Sequence, residues 1–193
     1  MSIDTLIPRP ATESIIDYVL SLHEKKSALK VCDLGTGSGA IAIALAKERP
    51  LWDITAVDIH PGALAMAKYN AHQHQCHNIQ FICSHWLAKL PERHFDLIIS
   101  NPPYIAAHDP HLNQGDVQHE PRRALVSADN GYHDLKQLIQ ESVMHLHHKG
   151  HFICEHGFEQ QKQVADLMRQ HGLRVETHLD YDELPRFCVG YSD

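Results

Sequence analysis

The sequence lacks any apolar run long enough to span a membrane. Its 193 residues contain nothing close to the roughly 20 consecutive apolar residues that a spanning helix needs. The first residues, Met1-Ser2-Ile3-Asp4, also lack the basic segment and apolar run of a secretory signal. We therefore expect a cytoplasmic protein with no membrane partner.

An excess of positive charge is missing as well. Lysine and arginine number 17 against 24 aspartates and glutamates, and the formal net charge is −7. Broad contact with nucleic-acid phosphates needs a basic face. The charge balance therefore disfavours nucleic acid as a partner.

Cysteine is scarce, and no two cysteines have Cys-x-x-Cys spacing. Cys32, Cys83, Cys154 and Cys188 each lie within an apolar run, whereas Cys76 does not. The first four are predicted to be small buried apolar residues in a reducing compartment.

Histidine is the abundant exception, with 18 residues. The densest group, His145, His147, His148 and His151, lacks the paired helical ligands with an intervening glutamate of a known zinc motif. We expect no bound metal, and we expect this group at the exposed end of a helix and in the turn after it.

Short apolar runs alternate with helical patterns along the chain, which is typical of an α/β fold: a parallel sheet covered by helices on both faces. Seven strands are predicted, at 29–34, 53–57, 78–83, 95–100, 150–155, 173–177 and 186–190. Helices are predicted at 10–20, 40–47, 61–74, 132–147 and 159–171. The polar segment 105–130 is predicted to be an irregular loop, and loops of that length are usually functional or mobile. The length fits one globular domain over residues 1–193.

A glycine-rich turn, Gly35-Thr36-Gly37-Ser38-Gly39, separates the first strand from the next helix. Glycine lets the backbone turn sharply and approach a ligand closely. Asp58 ends the second strand, where its carboxylate can accept hydrogen bonds from both hydroxyls of a ribose. Dinucleotide sites usually show Gly-x-Gly-x-x-Gly, but these glycines are spaced by two and follow an acidic residue, Asp33. This pattern resembles the first motif of S-adenosylmethionine enzymes, in which the acid orients the turn and the cofactor's amino-acid end.

The segment Ser84-His85-Trp86 follows the third strand. We expect it to flank an adenine ring, with Trp86 stacked on the base or forming one wall of its pocket.

The segment Asn101-Pro102-Pro103-Tyr104 follows the fourth strand, at the sheet edge where ligands bind in open α/β folds. The Asn101 side-chain oxygen and the Pro102 carbonyl, held by the rigid Pro102-Pro103 unit, can accept hydrogen bonds from an NH2 group. The Tyr104 ring can lie against a flat amide or base and fix its plane. The residue types therefore predict methyl transfer to a planar amide or amino nitrogen, with catalysis by orientation in an enclosed site.

Several segments together resemble one family, the HemK-type protein-(glutamine-N5) methyltransferases that modify peptide chain release factors. The similar segments are Ile7-Pro8-Arg9-Pro10-Ala11-Thr12-Glu13, Asp33-Leu34-Gly35-Thr36-Gly37-Ser38-Gly39, Asn101-Pro102-Pro103-Tyr104-Ile105, Asp109-Pro110-His111-Leu112, Gly115-Asp116-Val117, Glu120-Pro121 and Glu155-His156-Gly157. The resemblance implies a Rossmann-like class I S-adenosylmethionine-dependent domain with a seven-stranded sheet.

The resemblance also implies roles for particular residues. The cofactor contacts would be Gly35, Thr36, Gly37, Ser38, Gly39, Asp58, Trp86 and Asn101. The segment from Asn101 to Tyr104 would grip the glutamine of the Gly-Gly-Gln tip of a release factor, which places the reaction in translation termination.

The chain departs from this family in three respects. Ala11 replaces the usual acid, and the segment from Ser127 to Tyr132 departs from the family's usual Gly-x-Asp-Gly-Leu form. Family members usually carry an N-terminal helical domain before the Pro8-Arg9-Pro10 segment, whereas this sequence starts almost at that segment, so we expect the catalytic domain alone. His85 stands where the family usually has an acid that meets the adenine amino group.

Three alternatives stay open on the sequence. The same Asn-Pro-Pro-Tyr logic serves methyltransferases that act on adenine N6 in nucleic acid, with the base flipped out of the helix. A second alternative methylates a glutamine of a ribosomal protein. A third is a truncated, inactive remnant that binds the cofactor but transfers nothing, because a fold does not settle a function.

Overall fold

The computed structural model describes residues 10–24, 26–92 and 94–193. Its strands are β1 (Lys30–Leu34), β2 (Asp53–Asp58), β3 (Ile79–Cys83), β4 (Phe95–Ser100), β5 (Leu146–Glu155), β6 (Arg174–Leu179) and β7 (Pro185–Tyr191). Its α-helices are α1 (Pro10–Leu22), α2 (Ala40–Glu48), α3 (Pro61–Gln73), α4 (Ala128–Gly131), α5 (His133–His145) and α6 (Gln161–Gln170). The predicted order of strands and helices is confirmed.

The strands form one seven-stranded sheet in the order β3-β2-β1-β4-β5-β7-β6. The neighbours from β3 to β5 are parallel, whereas β7 runs antiparallel to both β5 and β6. The register pairs Leu34 with Val57 and with Ser100, and Ser100 with Cys154. The carboxyl ends of β1, β2, β4 and β5 therefore meet at one edge, which is where ligands bind in such sheets.

Helices cover both faces of the sheet, as the sequence predicts. Alternate side chains of each strand point to opposite faces. On one face Cys32, Ile98 and Phe152 pack with residues of α5 and α6. On the other, Val31, Leu97 and Ile153 pack with residues of α1 and α2. The central strands are therefore buried on both faces, and their carboxyl ends form the edge at which ligands are expected to bind.

Strand β5 corrects the predicted end of the preceding helix. Helix α5 ends at His145, and the strand begins at once at Leu146 instead of at Gly150. Phe95 pairs with Leu146 and Leu97 with His151, so β5 bulges opposite β4, with Lys149 at φ +65°. A bulge breaks the alternation of apolar and polar residues that identifies a strand, and the polar residues in it resembled a continuing helix.

The histidine group therefore lies differently from the prediction. His145 is buried at the end of α5, and His147, His148 and His151 belong to β5. The His147 Nδ1 atom lies 2.9 Å from Oδ1 of Asp96. Over the described ranges, no group of three or more histidine, cysteine, aspartate or glutamate side chains is arranged to hold a metal ion.

Three of the four cysteines predicted to be buried are so, namely Cys32, Cys154 and Cys188. Cys83 is exposed, which corrects the prediction. It is the last residue of β3, an edge strand, which within the described sheet pairs with β2 on one side alone.

The long loop after β4 is more regular than its sequence suggests. It contains three short 3₁₀ helices, Pro110–Asn113, Gly115–His119 and Arg122–Ala124. Its ends are joined by a β-bridge between Ile105 and Val126. In the part of the chain that the structure describes, no helix has the length and apolar character to cross a membrane.

Candidate active site

The glycine-rich turn lies between β1 and α2, at the carboxyl edge of the sheet. The amides of Gly35 and Thr36 each donate to the carbonyl of Val57 over 2.9 Å, which ties the turn to β2. Gly35 has a φ of +71°, and a Cβ atom there would lie 3.3 Å from the Trp86 ring. Both the backbone conformation and the close approach of Trp86 therefore favour glycine at this position.

Asp33 holds the turn from beneath. It is 1% exposed, and its Oδ2 atom accepts hydrogen bonds from Thr36 Oγ1 (2.6 Å) and from the Ala42 amide (3.2 Å). Burial raises the pKa of Asp33 from 3.8 to about 6, although these two hydrogen bonds oppose the rise. The predicted link between Asp33 and the turn is thus present, and its direct contacts are with the protein.

Asp58 ends β2 with its carboxylate fixed by two backbone amides. Oδ2 accepts a hydrogen bond from Gly37 over 3.0 Å, and Oδ1 accepts one from His60 over 2.8 Å. The side chain is 8% exposed and lines the cleft above the turn. A carboxylate has further lone pairs for ligand hydroxyls, so the position suits the predicted ribose contact.

Trp86 follows β3 and lines the same cleft as Asp58. It has a φ of +42°, and its indole Nε1 is buried with no hydrogen-bond partner among the described residues. An unpartnered buried donor costs stability unless a ligand satisfies it. The neighbouring His85 is exposed, and its Nδ1 lies 3.4 Å from Gln137 Nε2 of α5.

These residues enclose a first cleft of about 230 Å³. The predicted site residues that line it are Gly35, Thr36, Gly37, Ser38, Asp58, His85, Trp86, Asn101 and Pro103. Gly39 does not line it and instead packs closely against Ile43 and Ala67. The structure thus brings together all the predicted cofactor residues except Gly39.

A second, larger cleft of about 610 Å³ adjoins the first. Asn101 lines both clefts, Pro102 and Tyr104 line the second, and Pro103 lines the first. The long loop contributes Ala124 to both clefts. Asn101 therefore stands at the boundary between the space predicted for the cofactor and the space predicted for the substrate.

Tyr104 is held by contacts that the sequence did not suggest. Its hydroxyl donates to Glu155 Oε1 over 3.0 Å, and its carbonyl accepts from Gln160 Nε2 over 3.1 Å. Gly131 lies so close that a Cβ atom there would be 2.2 Å from the same carbonyl oxygen. Burial raises the pKa of Tyr104, and the negative charge of Glu155 raises it further. The phenol therefore stays protonated.

Among the residues around the site that had no predicted role are Thr12, Glu155, Gln160 and Arg186. Glu155 offered a signal, because it ends an apolar strand at the same sheet edge as Asp58 and Asn101. Arg186 pairs with Asp180, with its Nε 2.9 Å from Oδ2, and that pair is mostly buried. Thr12 lies in a segment that carried the family resemblance, but no spacing pattern connects it with residues so distant in sequence.

The family model for the methyltransferase small domain matches residues 16–128, more than half of the chain. The release factor glutamine methyltransferase of Salmonella typhimurium is 44% identical over 187 residues, covering 96% of this chain and 67% of that protein. The protein of the same name from Coxiella burnetii is 42% identical with the same coverage. The chain thus spans about two thirds of the length of these relatives.

Solved structures confirm the fold class. A methyltransferase from Pyrococcus furiosus has a TM-score of 0.71 at 15% identity, with 96% of this chain and 84% of that chain covered. The hMettl16 catalytic domain has a TM-score of 0.78 at 18% identity, with 100% of this chain and 74% of that chain covered. At such low identity the likeness concerns the fold of class I S-adenosylmethionine-dependent methyltransferases.

Proposed function

Since the chain belongs to the release factor glutamine methyltransferase family, we propose that it methylates the side-chain amide nitrogen of the glutamine in the Gly-Gly-Gln tip of a peptide chain release factor. The observation that carries this proposal is the position of Asn101, which lines both clefts. A methyl donor in the first cleft and an amide in the second would meet at this residue. A cytoplasmic location belongs to the same proposal, because release factors act in translation.

The first cleft suits S-adenosylmethionine, the cofactor of this family. We propose that Asp58 receives the ribose hydroxyls, that the Gly35–Gly37 backbone lies along the ligand, and that Trp86 borders the adenine. When bound, S-adenosylmethionine supplies a methyl group activated by a positively charged sulfur, which the amide nitrogen accepts before that nitrogen gives up a proton.

The residues from Asn101 to Tyr104 would orient the amide. The Asn101 oxygen and the Pro102 carbonyl would each accept one N–H bond, which turns the face of the nitrogen toward the first cleft. Glu155 holds the Tyr104 hydroxyl and Gln160 holds its backbone carbonyl, and the ring would lie against the amide plane. An amide nitrogen is a weak nucleophile because its lone pair is delocalised, so fixed orientation contributes much of the rate increase.

The charge around the second cleft supports a protein acceptor over nucleic acid. Its lining includes the carboxylates of Asp109, Glu155, Glu159, Asp180 and Asp182, which outnumber the guanidinium of Arg186 in the same lining. Such a lining repels phosphates, whereas a glycine-rich protein loop with a neutral glutamine carries no charge to be repelled. Phe158 also lines this cleft and is 50% exposed, so it offers an apolar contact to a protein surface.

The test is peptide mass spectrometry of a purified release factor after incubation with this protein and S-adenosylmethionine. We expect a mass gain of one CH2 group on the tip glutamine and on no other residue. A release factor whose tip glutamine is replaced by asparagine is the control and should gain nothing. Absence of the gain on the native factor, with cofactor binding confirmed by calorimetry, would refute the proposal.

A further inference from the structure

Glu155 joins two parts of the site through its buried carboxylate. It ends β5, is 1% exposed, and accepts hydrogen bonds at both oxygens. Thr12 Oγ1, from α1, donates to Oε2 over 3.1 Å, and the Tyr104 hydroxyl donates to Oε1 over 3.0 Å. The positive charge of Arg186 interacts with Glu155, which favours the ionised carboxylate.

The ionised carboxylate sets the direction of these hydrogen bonds. A carboxylate only accepts, so each hydroxyl that contacts it must donate its single proton to it. Thr12 has then no proton left, and its oxygen presents only lone pairs to any other neighbour. The neighbour is Asn101, whose side-chain Nδ2 lies 3.2 Å from Thr12 Oγ1.

The direction of this chain decides how the Asn101 carboxamide faces. Its NH2 group must point to Thr12, because Thr12 can only accept from it. Its oxygen Oδ1 then occupies the opposite corner of the planar carboxamide. Since Asn101 lines both clefts, an oxygen at that corner can accept a hydrogen bond from a substrate.

We propose that Glu155 is a positioning residue that acts through Thr12 to keep the Asn101 oxygen toward the substrate. The site thereby selects a side chain that donates N–H bonds, such as the amide of glutamine. It discriminates against the glutamate side chain, whose carboxylate can only accept hydrogen bonds. That carboxylate would face the Asn101 oxygen, another acceptor, and no hydrogen bond could form between them. This inference rests on the proposed function for its choice of substrate, but the orientation of Asn101 can be measured independently.

The decisive variant is Glu155→Gln, which keeps the shape of the side chain and introduces an NH2 donor. That donor must turn toward Thr12 or Tyr104. Where it faces Thr12, the threonine proton is free to turn toward Asn101, and the Asn101 amide can then rotate and present its NH2 group to the substrate. The selectivity should therefore fall, whereas a role in packing alone would leave it unchanged.

The orientation is tested by NMR on protein labelled with ¹⁵N-asparagine, with the Asn101 signal assigned by its loss in Asn101→Ala. We expect a nuclear Overhauser contact between the Asn101 NH2 protons and the Thr12 methyl group in the parent protein. Tyr104→Phe, which leaves the Thr12–Glu155 bond intact, should keep that contact. Glu155→Gln in the Tyr104→Phe background, where the new NH2 group has only the Thr12 hydroxyl as a partner of the two, should weaken it. An undiminished contact in that folded double variant would overturn the proposal.

The selectivity is tested by calorimetric binding of release factor proteins that carry either glutamine or glutamate at the tip. We expect the preference for glutamine to drop at least roughly tenfold in Glu155→Gln, as removing one hydrogen-bond match predicts. The pair Thr12→Val and Thr12→Ser provides a second route if Glu155→Gln does not fold. Thr12→Val should lose the preference for glutamine over glutamate, whereas Thr12→Ser, which has a hydroxyl, should keep it.

The outcomes separate the two proposals. A parent protein that methylates the tip glutamine, with variants that keep its preference for glutamine, contradicts only the role of Glu155. A parent protein that neither binds nor methylates the release factor contradicts the proposed function, and the NMR contact then decides the orientation of Asn101 by itself.

Discussion

The Asp58 carboxylate accepts a hydrogen bond from the amide of Gly37, with its Oδ2 atom 3.0 Å from the nitrogen. The acid at the end of one strand thus fixes the glycine-rich turn at the end of the neighbouring strand. The same carboxylate lines the first cleft. One side chain therefore connects the shape of the turn with the proposed binding of ribose.

Replacing this acid should weaken cofactor binding. We expect Asp58→Ala to lose roughly 1 to 3 kcal/mol of binding free energy for S-adenosylmethionine, as for other hydrogen bonds to charged groups. Calorimetric titration measures this directly. Asp53→Ala is the matched control, because Asp53 is exposed at the opposite end of the same strand and should bind as the parent does. Equal affinity in all three proteins would rule out the ribose assignment.

Loss of the Asn101 side chain should separate binding from catalysis. In Asn101→Ala we expect cofactor affinity within a few-fold of the parent and loss of most methyl transfer, because the substrate amide loses an acceptor that orients it. Single-turnover rates and calorimetry on the same preparations check both parts. Asn113→Ala, at an exposed position of the long loop, should keep full turnover. Normal turnover in Asn101→Ala would refute the proposed role.

Two glycines with nearly equal positive φ angles allow the effect of crowding to be measured apart from that of backbone strain. Gly39 has φ +85° and Gly172 has φ +86°. A Cβ atom at Gly39 would lie 3.0 Å from Ile43 Cδ1 and 3.2 Å from Ala67 Cβ, whereas no atom of the described residues lies within 4 Å of a Cβ atom at Gly172. We expect Gly172→Ala to lower the free energy of unfolding by roughly 1 kcal/mol and Gly39→Ala by roughly 2 to 4 kcal/mol. Urea unfolding of both variants measures these decreases. Equal decreases in the free energy of unfolding would show that Ile43 and Ala67 move aside to accommodate the added methyl group.

The buried Asp33 makes stability depend on pH. Its pKa is raised from 3.8 to about 6, chiefly by burial. The folded protein therefore holds this proton more tightly than the unfolded chain, and the contribution of Asp33 to stability falls as the pH rises from about 4 to about 6. Asparagine cannot ionise. The difference in the free energy of unfolding between Asp33→Asn and the parent should therefore shift in favour of the variant by roughly 2 to 3 kcal/mol across this interval. Urea unfolding of both proteins at several pH values gives the difference, and a constant difference would show that the pKa is not raised.

Much of this site follows from the sequence because its residues end parallel strands. Asp33, Asp58 and Asn101 each follow an apolar run, and parallel strands bring their carboxyl ends to one edge whatever their separation along the chain. Glu155 follows the same rule, yet its role depends on partners that periodicity does not specify. The contact of Thr12 with Asn101 and Glu155 arises from how α1 docks on the sheet, which no local pattern encodes.

The bulge in β5 shows a second limit of sequence reasoning. Lys149 takes a positive φ without being glycine, so its sequence carries no turn signal. Because His147 and His148 precede the apolar part of the strand, they matched the polar end of a helix. The pairing of Phe95 with Leu146, which starts the strand early, depends on β4 and not on the local residues.

The β-bridge between Ile105 and Val126 also determines how well the long loop can accommodate insertions. The Ile105 amide donates to Leu125 over 2.9 Å, and the Ser127 amide donates to Ile105 over 3.0 Å. The loop consequently leaves and returns at one point, and its closure is secured by hydrogen bonds at its base. Doubling the length of a loop adds only about 0.6 kcal/mol to the entropic cost of closing it. An insertion between Ile105 and Val126 should therefore lower the free energy of unfolding only slightly. An insertion in the outer part of the loop would therefore leave the Asn-Pro-Pro-Tyr segment beside its base in place.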